Sequence, residues 1–272
     1  MKTKQNKTLA LVIMFAATLT ISSCQKEKIV SKVEPSEKIF LEDQTFIGVQ
    51  RTIIFEITRN LSFKTESCEI ITYDTVSGPH VKTIDYGTGC IDNEGKTRKG
   101  QIIIAYDTEN IKYVTGANAY TTFNNFFISD VQIDGSFNLH NDGINGNGNY
   151  VFTMSGKYDE ILGNNAGTES VIGQQVMEWT SGADTPNDAT DNEFAYTGSI
   201  DVTSTNGDVS TLSILQPLIE KRAPGCERFY VSGIQNLQVT GQSDRYLDYG
   251  DGTCDDQAVE TVDGVSTPVT LQ

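Results

Sequence analysis

The chain has 272 residues, with 36 acidic against 20 basic side chains and a formal net charge of −16. Charge of this sign and size repels phosphate backbones and anionic headgroups, which argues against nucleic acid as a partner and against unaided adsorption to an anionic bilayer. With 24 Gly, six Pro and no low-complexity tract, the composition is that of a folded, β-rich protein and not a linker.

The first element in chain order reads as an export signal. Lys2, Lys4 and Lys7 precede an apolar run from Leu9 to Ile21, and Ile21-Ser22-Ser23-Cys24 follows. The run is about 13 residues, short of the ~20 a spanning helix needs and suited to a signal-peptide core. Small residues before a cysteine suit a lipoprotein signal peptidase, so residues 1–23 are expected to be removed and Cys24 to be lipidated. The plain alternative is an ordinary cleaved signal with an incidental cysteine. Each buried CH₂ of the acyl chains contributes ~0.8 kcal/mol, which makes such an anchor effectively permanent. Loss of 1–23 removes three of the 20 basic residues and no acidic one, leaving 17 against 36, or −19. The excess acid could attract divalent cations, although a solvated acidic surface needs no ligand.

Residues 24–36, with Gln25-Lys26-Glu27-Lys28 and Pro35-Ser36, read as a tether, and 37–272 as a single β-rich domain. From Glu37 to Leu61 the apolar positions Ile39, Phe40, Phe46, Ile47, Ile54, Ile57 and Leu61 form one helical stripe, with Ser36 placed to cap it. This predicts a short N-terminal helix, against which the β-branched run from Thr52 to Thr58 reads as strand. After Glu69 the period shifts to two. Strands are expected at 101–106, 120–128, 131–138, 149–157, 171–179, 227–238, 245–249 and 265–271, the last ending the chain inside the sheet, joined by short turns into an antiparallel meander. Sandwich and broad curved sheet both fit that pattern.

One hairpin can be read to the residue. In 194–202 the apolar set lies on even numbers, and beyond Asn206-Gly207 it continues at Leu212 and Ile214. A two-residue loop would place Ile200 opposite Ser213 and split the apolar set over both faces. A three-residue loop, Thr205-Asn206-Gly207, sets Ile200 against Leu212 and Gly198 against Ile214, with φ > 0 at Gly207. Register selects the longer loop.

Four cysteines remain once Cys24 is set aside: Cys68, Cys90, Cys226 and Cys254. An even number in an exported chain implies two disulfides. Each half holds one pair, and each pair brackets strand, turn and strand ending in a near-copied phrase. The phrase is Asp85-Tyr86-Gly87-Thr88-Gly89-Cys90 in one half and Asp248-Tyr249-Gly250-Asp251-Gly252-Thr253-Cys254 in the other. The copies, about 68–106 and 226–271, form an internal hairpin repeat. Pairing Cys68 with Cys90 and Cys226 with Cys254 then clips each hairpin at its base.

The stretch Thr83 to Cys90 with Gly95 to Ile104, then Glu178-Trp179 with Gly182, then Gln216 to Lys221 leading to Cys226, then Asp248 to Cys254, resembles an uncharacterised family of Bacteroidota outer-membrane lipoproteins. The matching pieces keep their order over about 68–271. The resemblance implies an outer-membrane, lipid-anchored protein, and it implies no activity. Gln25-Lys26-Glu27-Lys28 partly resembles the surface-export signal of such bacteria, a lysine followed by two acids. Lys28 departs from it, which leaves the cell surface and the periplasmic face both open.

Candidate chemistry is sparse. His80, beside Pro79, and His140, in the run Asn138 to Gly143, read as loop residues outside any nucleophile motif. With the cysteines paired, no zinc ligand set remains. Glu178 beside Trp179 resembles an acid next to a sugar-stacking ring, although a lone Trp in a β protein is more often core. Asp248, Asp251, Asp255 and Asp256 around Gly252 offer hard oxygens for calcium, as does Asn141 to Asn147, yet turns are rich in Asp and Gly for backbone reasons alone. No cofactor, metal or catalytic residue is therefore assigned. The expected function is a non-catalytic binding module of the cell envelope, held to the membrane by its lipid and meeting a glycan or envelope protein. A structural role in an outer-membrane assembly is the alternative, and a glycan-active hydrolase a distant one.

Overall fold

The computed structural model describes residues 68–271, apart from 75, 77, 92–95, 109 and 227–228. The expected signal, Cys24, the tether and the helix over 37–61 lie outside the described residues. Within them, fourteen strands form one hydrogen-bonded sheet, so the two stacked sheets of a sandwich are replaced by a single open one. The strands are β1 (Ile70–Asp74), β2 (His80–Asp85), β3 (Cys90–Ile91), β4 (Thr97–Tyr106), β5 (Asn118–Ile128), β6 (Val131–Ile144) and β7 (Tyr150–Leu162). They continue as β8 (Gly167–Ser181), β9 (Glu193–Thr203), β10 (Val209–Lys221), β11 (Ser232–Val239), β12 (Arg245–Asp251), β13 (Gln257–Val262) and β14 (Val265–Thr270). Every pairing is antiparallel between successive strands, with β3 pairing the far end of β4 beside β2. This is the expected meander. Two short 3₁₀ turns, Ile111–Tyr113 and Gly163–Asn165, are the helical elements among the described residues.

Period-two alternation gives the sheet two faces of different character. One is buried: Ile102 and Ile104 on β4, Phe152 and Met154 on β7, Met177 and Trp179 on β8, and Phe194 and Tyr196 on β9 all face it. Aromatic contacts run along it from Phe137 on Tyr158, 5.1 Å apart, to Tyr230 on Tyr249 at 5.3 Å. The other face carries Ser, Thr, Asn, Gln and Asp.

The hairpin of β9 and β10 has the register that its apolar pattern requires. Ile200 pairs with Leu212 and Gly198 with Ile214, Ser204 N–H donates to Asp208 O at 2.8 Å, and Gly207 has φ +88°. Glycine also marks where the sheet departs from regularity. At Gly198 (φ +119°) a Cβ would stand 2.3 Å from Gln174 O, and at Gly233 (φ +111°) 2.3 Å from Pro217 O. Register shifts cross the sheet at these points, between Ile214 and Leu218 and between Ser232 and Ile234. Such bulges bend strands and raise their twist, which a sheet this wide needs.

Both disulfides have the expected pairing, Cys68–Cys90 and Cys226–Cys254. They clip the β1–β2 and β11–β12 hairpins. The repeated phrase folds alike in both copies: Asp85 and Asp248 accept the N–H of Gly87 and Gly250, at 2.7 and 2.9 Å. Tyr86 and Tyr249 then turn into the core. Three strand expectations are corrected. The strand placed at 227–238 begins at Ser232, because Tyr230 and Val231 are buried outside the ladder. Residues 257–262 form a further strand, β13, and the last strand is the sheet's edge and not inside it. The two-residue loop Asp263-Gly264 closes the pair Val262–Val265, so alternation turns the Pro268 nitrogen outward. A proline there blunts the edge against further strand pairing.

Candidate functional site

Two regions compete as a site: the acidic turn singled out by the sequence, and a polar trough on the solvent face. In the turn three of the four carboxylates accept N–H groups of their own backbone, and Asp256 accepts the Gln257 side-chain amide. Asp248 accepts Gly250 N–H, Asp251 accepts Thr253 N–H and Oγ1–H at 3.2 and 2.7 Å, and Asp255 accepts Gln257 N–H at 3.0 Å. The Thr253 hydroxyl and N–H hold the Asp251 carboxyl below the usual aspartate range. The turn borders an open depression of about 500 Å³ with Val259 and Pro268. Among the described residues no three of His, Cys, Asp and Glu converge as metal ligands do. In Asn141 to Asn147, Asn141 is buried and its amide donates to Ile111 O and Lys112 O at 2.6 and 2.9 Å. Asn145 donates to Glu178. These amides hold the neighbouring turn and do not project a ligand shell.

The catalytic candidates separate in the same way. Glu178 and Trp179 are successive on β8 and therefore face opposite sides. Trp179 is 2% exposed and donates Nε1–H to Asn192 Oδ1 at 3.1 Å. Glu178 accepts the Asn149 and Asn145 amides at 2.7 and 2.8 Å, which hold its carboxyl below the usual range, the opposite of what a general acid needs. Glu160 and Glu169 stand directly opposite each other across β7 and β8, but on the buried face, each 2% exposed. His80 opens β2 and His140 lies within β6, so both are strand and not loop residues. His140 Nδ1 is 2.9 Å from Asn118 Oδ1 and its Nε2 is 3.9 Å from Asp142, with no hydroxyl or thiol on the ring among the described residues.

Lys112 sits in the 3₁₀ turn over the ends of β7 and β8. Its Nζ lies 3.9 Å from the centre of the Trp179 ring, with Tyr113 and Tyr150 at 5.0 and 6.0 Å, and donates to Ala183 O at 2.8 Å. Burial pushes its amine down to about 8, and Asp184 partly restores it. The aromatic cage is filled by the protein's own cation, so it pins the turn.

The trough is built differently. Register places Tyr120 beside Asn138, Asn138 beside Ser155, Ser155 beside Gln174, and Gln174 beside Ser199. These five side chains form an unbroken row across β5–β9, all on the solvent face. Two residues along each strand a second row runs Thr122, Ser136, Lys157, Ile172 and Asp201. Together they line an open trough of about 600 Å³. Tyr120 is 49% exposed and Ile172 54% exposed. The side chains of Ser136, Ser155, Gln174 and Ser199 make no hydrogen bond with another described residue, and Lys157 meets no carboxylate there. Asn138 donates to Asn118 Oδ1 at 3.2 Å, while its own Oδ1 accepts from no described residue. The exposed aromatics do not cluster as a sugar-stacking platform would: Tyr73, Tyr113, Tyr120 and Tyr246 lie on separate elements. The row escapes sequence reasoning because its members are spread over four hairpins, and only the period-two signal of each strand hints at it.

No protein-family model, curated protein or solved structure matches the chain.

Proposed function

We propose that the chain is a cell-envelope lipoprotein of the outer membrane, anchored through Cys24, and that it works as a non-catalytic binding module. The binding surface is the solvent face of β5–β9. The observation that carries this is the row Tyr120 to Ser199, where polar groups are held in register across five strands and the exposed Ser155, Gln174 and Ser199 side chains make no hydrogen bond with another described residue. Exposed on one face, these groups are open to a ligand, whereas Asp248, Asp251 and Asp255 of the acidic turn accept hydrogen bonds from their own backbone. The two disulfides support an oxidising, exported setting, and the sequence of residues 1–24 and the lipoprotein resemblance favour the envelope.

The structural alternative draws on Ile70, Val76 and Ile91, exposed near the β1–β3 end of the sheet. The two roles separate in one experiment. Cys24→Ser should move the protein from the membrane to the soluble fraction, and Tyr120→Ala with Ser199→Lys should leave it membrane-bound while abolishing its retention of envelope polysaccharide. If the double variant retained polysaccharide as the wild type does, the binding role would fail. If Ile91→Lys released an assembly partner, the structural role would take its place.

A further inference from the structure

We infer that the trough takes a neutral, linear polysaccharide, lying across the strands with about one sugar ring per strand and one ring against Tyr120. The inference deepens the binding-module reading and rests on it.

Spacing is the first argument. From Tyr120 on β5 to Ser199 on β9 the row advances one strand at a time, each step ~4.8 Å. That step is close to the length of one pyranose ring in an extended chain, so four steps accommodate about four or five rings. A polymer running across strands therefore meets an equivalent polar group at every unit. An added peptide strand would instead pair along a sheet edge, where Pro268 of β14 presents no N–H.

Chemistry is the second. A pyranose ring offers adjacent hydroxyls, each both donor and acceptor. The amides of Asn138 and Gln174 and the hydroxyls of Ser155 and Ser199 have the same dual capacity. Asn138 Oδ1 is closed off from solvent, so the exposed side chains of Ser155, Gln174 and Ser199 carry the polar contacts to the sugar hydroxyls. Ser155 and Ser199 are short, so the row is a channel bordered by the longer Lys157, Ile172 and Asp201. Tyr120 and Ile172 supply exposed apolar surface for the C–H faces of the rings.

Charge is the third. The lining holds one cation, Lys157, and one anion, Asp201, on a chain of net −16. An anionic polysaccharide would lack counter-charges here and would meet long-range repulsion. The polymer is therefore neutral. With a single exposed aromatic, affinity per site is modest and suits a surface that presents many copies of both partners.

The test is calorimetric titration of the detergent-solubilised full chain with linear glucose, mannose and xylose oligosaccharides of two to six rings, with oligogalacturonate as the acidic comparison. The expected result is affinity in at least one neutral series that rises with length and levels at about four or five rings. Tyr120→Ala should weaken it about tenfold, and Ser199→Lys should bring the plateau at shorter chains. Both positions are exposed, and an unchanged melting temperature certifies the fold. Affinity independent of length, preference for the acidic series, or no neutral binding tighter than about 10 mM would overturn the inference. If oligosaccharides fail while Tyr120→Ala still abolishes retention of a membrane protein, the glycan falls and the binding module stands. If Tyr120→Ala changes nothing, both fall.

Discussion

The acidic turn of residues 248–256 and the polar row across β5–β9 make opposite impressions in sequence and in space. The turn gathers four aspartates around glycine and looks like a cation site. Folded, three of them, Asp248, Asp251 and Asp255, accept backbone N–H groups two residues on, and Tyr249 is sunk in the core with its hydroxyl on Gln235 Oε1 at 2.8 Å. The row consists of Tyr, Asn, Ser, Gln and Ser from five strands, none of them distinctive. Folded, they share one face, and Ser155, Gln174 and Ser199 keep their hydrogen-bonding capacity. Residue types that suggest chemistry are thus used in building a hairpin, while the surface able to recognise something is assembled by register alone.

The largest effect that sharpens this contrast is on stability. Replacing Cys226 and Cys254 together by Ser should cost about 3–4 kcal/mol, since the bridge closes a 28-residue separation, and lower the melting temperature by about 10 °C. Ligand retention by the row should persist below the new transition. If retention vanished while the sheet stayed folded, the turn would be part of the site after all.

A smaller effect concerns the buried lysines. Burial pushes the Lys82 amine down to about 7 and that of Lys112 to about 8. Below those values the folded and unfolded chains both hold the proton and the cost of burying the cation is fully present. Between about 7 and 10.5 the unfolded chain holds the proton that the folded chain has released, so stability rises with pH. Denaturant unfolding at pH 7 and 9 should show this rise, reduced in Lys82→Met. Trp179 is the single tryptophan, and Lys112 Nζ lies 3.9 Å from its ring. Its emission should titrate with a midpoint near 8, and Lys112→Met should abolish the transition. An unchanged emission from pH 6 to 10 would show that the cage does not hold this amine.

The smallest expected effect is at the acids. Thr253 holds the Asp251 carboxyl low, so its contribution is present above the ordinary aspartate range and lost as pH falls through the folded value. Asp251→Ala should lower melting only slightly at pH 7 and flatten the acid limb. Melting in millimolar calcium and in chelator should coincide. A calcium-dependent rise abolished by Asp251→Ala would restore the turn as a cation site.

Much of the fold was legible in sequence, because alternation, Asn-Gly and Asp-Gly turns and cysteine spacing are local signals. The register at Ile200–Leu212, the left-handed Gly207 and both disulfides follow from them. β13 was missed because its alternation buries only Ala258 on the core face. The start of β11 is later than the sequence suggests because Tyr230 and Val231 are apolar and buried, with Val231 bonded to Ile219 and Gly252, yet precede the regular ladder. That the sheet is single and open depends on β5 to β10 all joining edge to edge, which no local pattern states. The site was the least legible part: Ser155 and Ser199 acquire meaning only once four hairpins fix which residues stand beside them.

The most direct test is a residue-resolved NMR titration of the isotopically labelled protein with the neutral oligosaccharide series. Shifts concentrated at Tyr120, Asn138, Ser155, Gln174 and Ser199, with Asp248 to Asp256 unmoved, are the predicted result. Shifts centred on the acidic turn with the row silent would contradict the account.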